Sequence, residues 1–318
     1  MHLRHQSEAH RESLKSVLGA PPDSAPLNPQ ILEVVEEETY RREKVRYHVN
    51  PREWGYAYLL IPKKAQGPLP AVFCHHRHNR DWTLGKSEVV GVRGDPSEAF
   101  GLELVKRGYV VFAPDALAFE DRCPTDIDPD DPFDAYMHNF TELAVRLLRG
   151  ETLLKSVIWD ASRGLDYLLS RREVDAKRIG FMGHGYGAKM AIWVMAFDER
   201  VFAAVAHGSI GSMKKALDLG HFVQVEFAVP RLLQVADFDR VLSLAAPRPF
   251  LVSASQDDPD SMDVVELYEK AKRAYTRIGA SNRISLYHYA VEEPEEPYMT
   301  LRSRHRAYDW LDNWLKPF

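Results

Sequence analysis

The stretch Arg178-Ile179-Gly180-Phe181-Met182-Gly183-His184-Gly185-Tyr186-Gly187-Ala188-Lys189-Met190-Ala191 carries the residue spacing that points most directly to chemistry. An apolar run enters Gly-x-Gly-x-Gly and leaves as a second apolar run. This is the setting in which a strand-turn-helix bend holds a nucleophilic side chain in a strained backbone conformation. The central position here is Gly185, which takes strained dihedrals easily and offers no atom for covalent attack. Glycines between a strand and a helix also cradle phosphates. Gly183, Gly185 and Gly187 do not fit the G-x-G-x-x-G spacing, however, and no first βαβ unit begins there.

A second concentration of chemistry is His75-His76-Arg77-His78-Asn79-Arg80. His76 and His78 alternate along an extended segment and so point the same way. They are readable as acid/base groups, as metal ligands with Asp258 or Glu120 as a third donor, or as braces for their own loop. Arg77, Arg80 and Arg93 add positive charge that would favour a carboxylate-bearing ligand. His184 sits on the bend itself, either packed beneath it or catalytic, and Asp115 is expected to cap its own loop. Trp82, Phe133, Tyr136 and Met137 form either an aromatic wall over a site or ordinary packing. No metal and no other cofactor is expected.

The elements that must position these residues follow from periodicity. Short continuous apolar runs occur at 71–74, 109–112, 178–182, 202–206, 249–253 and 283–287, with helical spacing between them, as in Val157, Ala161, Leu165 and Leu168. Strands apolar on both faces require a parallel sheet covered by helices. Two alternating runs, 39–49 and 54–61, turn at Asn50-Pro51 and read as an antiparallel pair at the sheet edge. The expectation is one α/β domain of about eight mostly parallel strands with helices on both faces. It spans 36–318, follows a helix and extended arm over 1–35, and carries loop or cap insertions near 116–150 and 208–245.

Composition bounds the rest. The 318 residues carry 46 acidic against 41 basic side chains, a net charge of −5, so nucleic acid is not an expected partner. The two cysteines, Cys74 and Cys123, exclude a disulfide framework and agree with a cytoplasmic location. No apolar run is long enough for a membrane span. A small-molecule substrate or ligand is the expected partner, with a homo-oligomer left open.

With the bend placed, the chain resembles the α/β-hydrolase superfamily, in its dienelactone hydrolase and acetyl xylan esterase-like branch. The resemblance covers about 40–318. It rests on Pro70-Ala71-Val72-Phe73 entering His76-Arg77-His78-Asn79, on Gly85-Lys86-Ser87-Glu88, on Arg107 to Asp115, on Ala246-Pro247-Arg248-Pro249-Phe250-Leu251 and on Tyr308-Asp309-Trp310-Leu311. It implies an α/β-hydrolase fold and a triad in the order nucleophile, acid, His. The implied acid is Asp258. The implied His position falls near Pro297, in the segment Glu292 to Pro297, which holds no histidine; His288 and His305 are the nearest. The implied oxyanion N–H groups belong to the loop at Arg77 and to Tyr186, and Glu120 stands where such chains line the pocket.

Both the nucleophile and the His loop therefore depart from the pattern, and hydrolysis through an acyl-serine intermediate is not expected. Three readings remain. One is an enzyme acting on a small carbonyl or carboxylate substrate through a non-serine mechanism, as a lyase, isomerase, cyclase or water-using hydrolase, with His76, His78, Asp258 and His305 as candidate catalytic groups. Another is a silent homologue that binds a ligand or partner. The last is a hydrolase in which His305 reaches the site and a relocated nucleophile, Ser209 or Ser255, attacks.

Overall fold

The computed structural model describes residues 2–63, 67–78, 80–126, 128, 131–221, 223–291 and 299–316. Its centre is a nine-stranded sheet: β1 (Gln30–Glu36), β2 (Tyr40–His48), β3 (Trp54–Pro62), β4 (Leu69–His75), β5 (Val110–Pro114), β6 (Val174–His184), β7 (Ala203–His207), β8 (Phe250–Ser255) and β9 (Ile284–Tyr289). The spatial order is β1-β2-β3-β5-β4-β6-β7-β8-β9. The first three strands run antiparallel to their neighbours, and those from β5 to β9 are parallel.

The six apolar runs are the six parallel strands, and the two alternating runs are β2 and β3. Asn50 makes the turn between β2 and β3 by accepting the N–H groups of Arg52 and Glu53. The sequence expectation of about eight strands falls short by β1, which lies within the segment read as an extended arm. β1 pairs antiparallel with β2, and almost every one of its residues is exposed, so no apolar pattern marks it.

Helices cover both faces. Leu153–Leu169, Tyr186–Phe197 and Val264–Arg277 bury Val157, Ala161, Leu165, Ile192 and Leu267 in one core, together with Phe73, Phe112 and Phe181 from the sheet. Phe100–Lys106 and Leu301–Leu315 bury Leu104, Ala307, Leu311 and Leu315 in the other, against Val72, Val111 and Met182. Thr152 and Thr300 cap the first turns of their helices, accepting the N–H groups of Lys155 and Ser303. The long connection after β5 holds the helix Pro132–Leu148, and that after β7 holds, among the described residues, three short α-helices and one turn of 3-10 helix. The two connections meet where Leu143 packs with Val225. Among the described residues, no helix is long and apolar enough to cross a membrane.

Candidate active site

The bend predicted from sequence is formed. β6 ends at His184, the helix starts at Tyr186, and Gly185 between them has φ +57° and ψ −108°. Its flanking glycines answer a packing demand: a β-carbon on Gly183 would lie 2.2 Å from the Gly187 backbone, and one on Gly187 would lie 2.1 Å from the His75 carbonyl oxygen. Gly185 is different. A β-carbon there would meet only the Arg77 Cβ at 3.5 Å, the Ser209 Oγ at 3.8 Å and the Arg77 Cα at 4.0 Å, all ordinary contacts. The Gly185 and Gly187 N–H groups donate to His207 and His76 carbonyls. Those of Tyr186 and Arg77 have no acceptor among the described residues, which leaves two donors unclaimed beside the bend.

The histidine loop is a brace. The two His76 nitrogens are engaged with backbone, Nδ1 with the Arg77 carbonyl at 2.7 Å and Nε2 accepting the Ala116 N–H at 3.0 Å. This fixes a neutral imidazole, which burial holds down at about 4. His78 lies on the same side, as the alternation predicts, and both rings pack against Phe119 and Tyr186. Its Nδ1 accepts the Arg80 N–H, and its Nε2 stands 3.8 Å from Glu226. Burial lowers His78 to about 4 and raises the Glu226 carboxyl to about 7, so between about pH 4 and pH 7 the two face each other without charge. Among the described residues no three His, Cys, Asp or Glu side chains gather as a metal site.

Two of the three positive charges read near the loop are consumed internally. The Arg77 guanidinium bonds Glu88 at 2.9 and 3.1 Å and lies 3.3 Å from Glu98. Arg93 pairs with Glu120 at 2.9 Å, and Arg80 is exposed. Glu120 is structural: it accepts bonds from Ser87 and pairs with the buried Lys86 at 3.2 Å. Burial would raise its carboxyl, but Lys86 and Ser87 outweigh that and hold it at about 2. Asp115 does not cap its own loop. It takes the Lys86 N–H at 3.0 Å and the Lys86 Nζ at 2.6 Å, tying the end of β5 to the Gly85–Glu88 segment.

Asp258, at the end of β8, is placed close to the bend. Its carboxylate accepts the Ser209 N–H at 2.6 Å, the Ser261 hydroxyl at 2.7 Å and the Asp260 N–H at 3.0 Å. His305 is not brought in: it is exposed on the last helix, 6.2 Å ring to ring from Tyr308. His288 lies within β9. The segment implied for a catalytic His, 292–298, lies outside the described residues. Ser255 is fully buried and bonded to Asp257, which removes it as a nucleophile.

His184 does more than pack under the bend. Its Nδ1 is 2.8 Å from Glu98 Oε2, a buried carboxylate also contacted by Arg77. Burial opposes charge on Glu98, but His184 and Arg77 prevail and lower its carboxyl. The His184 Nε2 has no hydrogen-bond partner among the described residues and lies 3.1 Å from where a β-carbon on Gly208 would stand. Ser209 follows at once, half-buried, with φ +53° and its hydroxyl facing the side of Gly185. It lines a cleft with Lys189, Gln224, Asp260 and Phe227, in which Lys189 bonds Gln224 at 3.1 Å.

A family model described as "Dienelactone hydrolase family" matches residues 57–293. The chain belongs to the dienelactone hydrolase family. It is 30% identical over 311 residues to the Bacillus subtilis (strain 168) protein named "Putative hydrolase YtaP", covering 96% of this chain and 98% of that one. Among solved structures it is similar to the "putative acetyl xylan esterase (BF1801)" of Bacteroides fragilis NCTC 9343. The TM-score is 0.75 at 16% identity, over 97% of this chain and 82% of that one. A glucuronoyl esterase from Solibacter usitatus gives a TM-score of 0.67 at 17% identity, over 95% and 91%. At these identities the structures speak for the fold.

In this family member Gly185 stands at the bend, Asp258 follows β8, and the Tyr186 and Arg77 N–H groups have no acceptor among the described residues. Sequence reasoning missed Glu98 altogether, because its bond to His184 joins residues 86 positions apart. A signal for Ser209 was present in Gly208-Ser209-Ile210-Gly211, a serine between glycines directly after a strand.

Proposed function

We propose that the chain is a hydrolase of small carboxylic esters whose general base is His184, oriented by Glu98. The observation that carries this reading is the 2.8 Å bond between His184 Nδ1 and Glu98, with the opposite nitrogen unpartnered at the bend. A carboxylate on Nδ1–H fixes the tautomer that leaves Nε2 able to accept a proton, and it stabilises the imidazolium formed. The substrate carbonyl oxygen would take the unclaimed N–H groups of Arg77 and Tyr186, where negative charge develops in the tetrahedral intermediate. His184 removes the proton of the attacking hydroxyl and returns it to the departing alkoxide. The two free cysteines agree with a cytoplasmic setting for this chemistry.

A second reading, a silent family member that binds a small carbonyl ligand, is favoured by Gly185 and by the absence of any histidine from 292–298. Steady-state hydrolysis of p-nitrophenyl acetate and of methyl esters of small acids separates the two. The hydrolase reading expects His184→Asn to lower kcat/KM by about 10²–10⁴-fold, with Glu98→Gln lowering it less. Turnover no greater than that of heat-denatured protein, with ligand binding retained, would establish the silent reading.

A further inference from the structure

We propose that Ser209 is the nucleophile, carried on a second bend at the end of the neighbouring strand. This deepens the hydrolase reading and rests on it for the base. Four observations converge. Ser209 stands two residues past the end of β7, after Gly208, and β7 is hydrogen-bonded to β6, so the two strand ends lie side by side with His184 opposite His207. The Ser209 backbone has φ +53°, a left-handed conformation that costs a serine free energy and that active sites commonly hold in place. Asp258 provides the restraint by taking the Ser209 N–H at 2.6 Å, so the residue in the acid position of the family pins the strained turn. The hydroxyl itself is unbonded among the described residues and lies 3.8 Å from the site of the missing Gly185 β-carbon. It therefore stands in contact range of the position an elbow side chain would have taken, on the residue next to Gly208, whose own ideal β-carbon would lie 3.1 Å from His184 Nε2.

The chemistry balances without any further group. Ser209 Oγ bonds to the ester carbonyl carbon while its proton passes to His184 Nε2. The bond from that carbon to the alkoxy oxygen then breaks, and the leaving oxygen takes the proton from His184. Water attacks the acyl-serine, giving a proton to His184. Carboxylic acid leaves as that proton returns to Ser209 Oγ.

The test is covalent labelling of the full chain with a fluorophosphonate, followed by peptide mass mapping and ester kinetics. Wild type should carry the phosphonyl group on Ser209. Ser209→Gly, which keeps the left-handed backbone without strain, should lose the label and at least 100-fold in kcat while melting no lower than wild type. Ser209→Cys should retain covalent reactivity, and His184→Asn should slow labelling at least tenfold. Absence of label from Ser209, label on any other residue alone, or wild-type kcat in Ser209→Gly would overturn the proposal. Label on Ser209 without ester turnover would uphold the nucleophile and refute the ester reading. Turnover lost in His184→Asn but kept in Ser209→Gly would uphold the ester reading, with water as attacker, and refute the nucleophile.

Discussion

The Ser209 hydroxyl lies 3.8 Å from the point where a β-carbon on Gly185 would stand. Two adjacent strand ends thus share one small space, and filling it from one side leaves less room on the other. Nothing in that space crowds a methyl group, so the cost of a side chain at 185 is the backbone cost of φ +57° alone. Gly185→Ala is expected to fold and lose about 1–2 kcal/mol. Gly187→Ala would place a β-carbon 2.1 Å from the His75 carbonyl oxygen and should give no cooperative transition at all. Thermal melts of the two variants side by side check the contrast.

Acid should unfold the chain through its histidine loop. Burial holds His75 at about 3 and His76 and His78 at about 4, all below the unfolded value of 6.5. Their folded pKa values are depressed, so the unfolded chain binds protons that the fold refuses as pH falls from 6.5 towards 4. Stability is full above pH 6.5 with respect to these groups and is lost through that window. Three such groups, opposed by Glu226, give a net slope of roughly 2–3 kcal/mol per pH unit near pH 5.5. Urea midpoints measured between pH 4 and 8 should show it, and a flat profile would contradict the buried neutral loop.

Glu226 runs the other way. Burial raises its carboxyl from 4.5 to about 7, so the fold keeps a proton that the unfolded chain releases from pH 4.5 upward. The contribution is complete below pH 4.5 and is lost as pH rises to about 7. Glu226→Gln removes the penalty. It should match wild type at pH 4 and exceed it by roughly 1–3 kcal/mol at pH 8, as read from denaturant unfolding at the two pH values.

Lys86 is the cation for a buried acidic group. Its Nζ lies 2.6 Å from Asp115, 3.2 Å from Glu120 and 2.6 Å from Asp121, and the lysine side chain is 2% exposed. Removing one partner leaves uncompensated buried charge, so Lys86→Met is expected to cost about 3–5 kcal/mol. Lys86→Arg, which keeps the charge but not the shape, should recover part of that loss. Chemical denaturation of both variants decides the point.

The legible part of this fold was whatever could be encoded by neighbours in sequence. β4 to β9 are apolar runs because both faces of a parallel strand are covered, and the 183–187 glycines are visible because close backbone crossing admits little else. β1 was not legible: Ile31 and Val34 are 54% and 51% exposed, so no buried face imposes alternation. At the site, reading Arg77 and Arg93 as free positive charge failed because their partners, Glu88 and Glu120, stand 11 and 27 residues away. His76 was readable as a base only until Ala116, 40 residues on, was seen to donate to its second nitrogen. Types of residue could be placed on strand ends from sequence; which hydrogen bonds they had already spent could not.

β1 also explains why the sheet stops where it does. Its outer edge offers unpaired backbone groups with Ile31, Leu32 and Val34 exposed alongside, which is the usual template for one chain to extend another's sheet. Glu33 and Glu36 lie in that same strand, and Glu37 and Glu38 follow it. A second β1 laid in parallel register would set Glu33 beside Glu33, so charge along this edge opposes self-pairing, and acid or heavy salt would weaken that opposition.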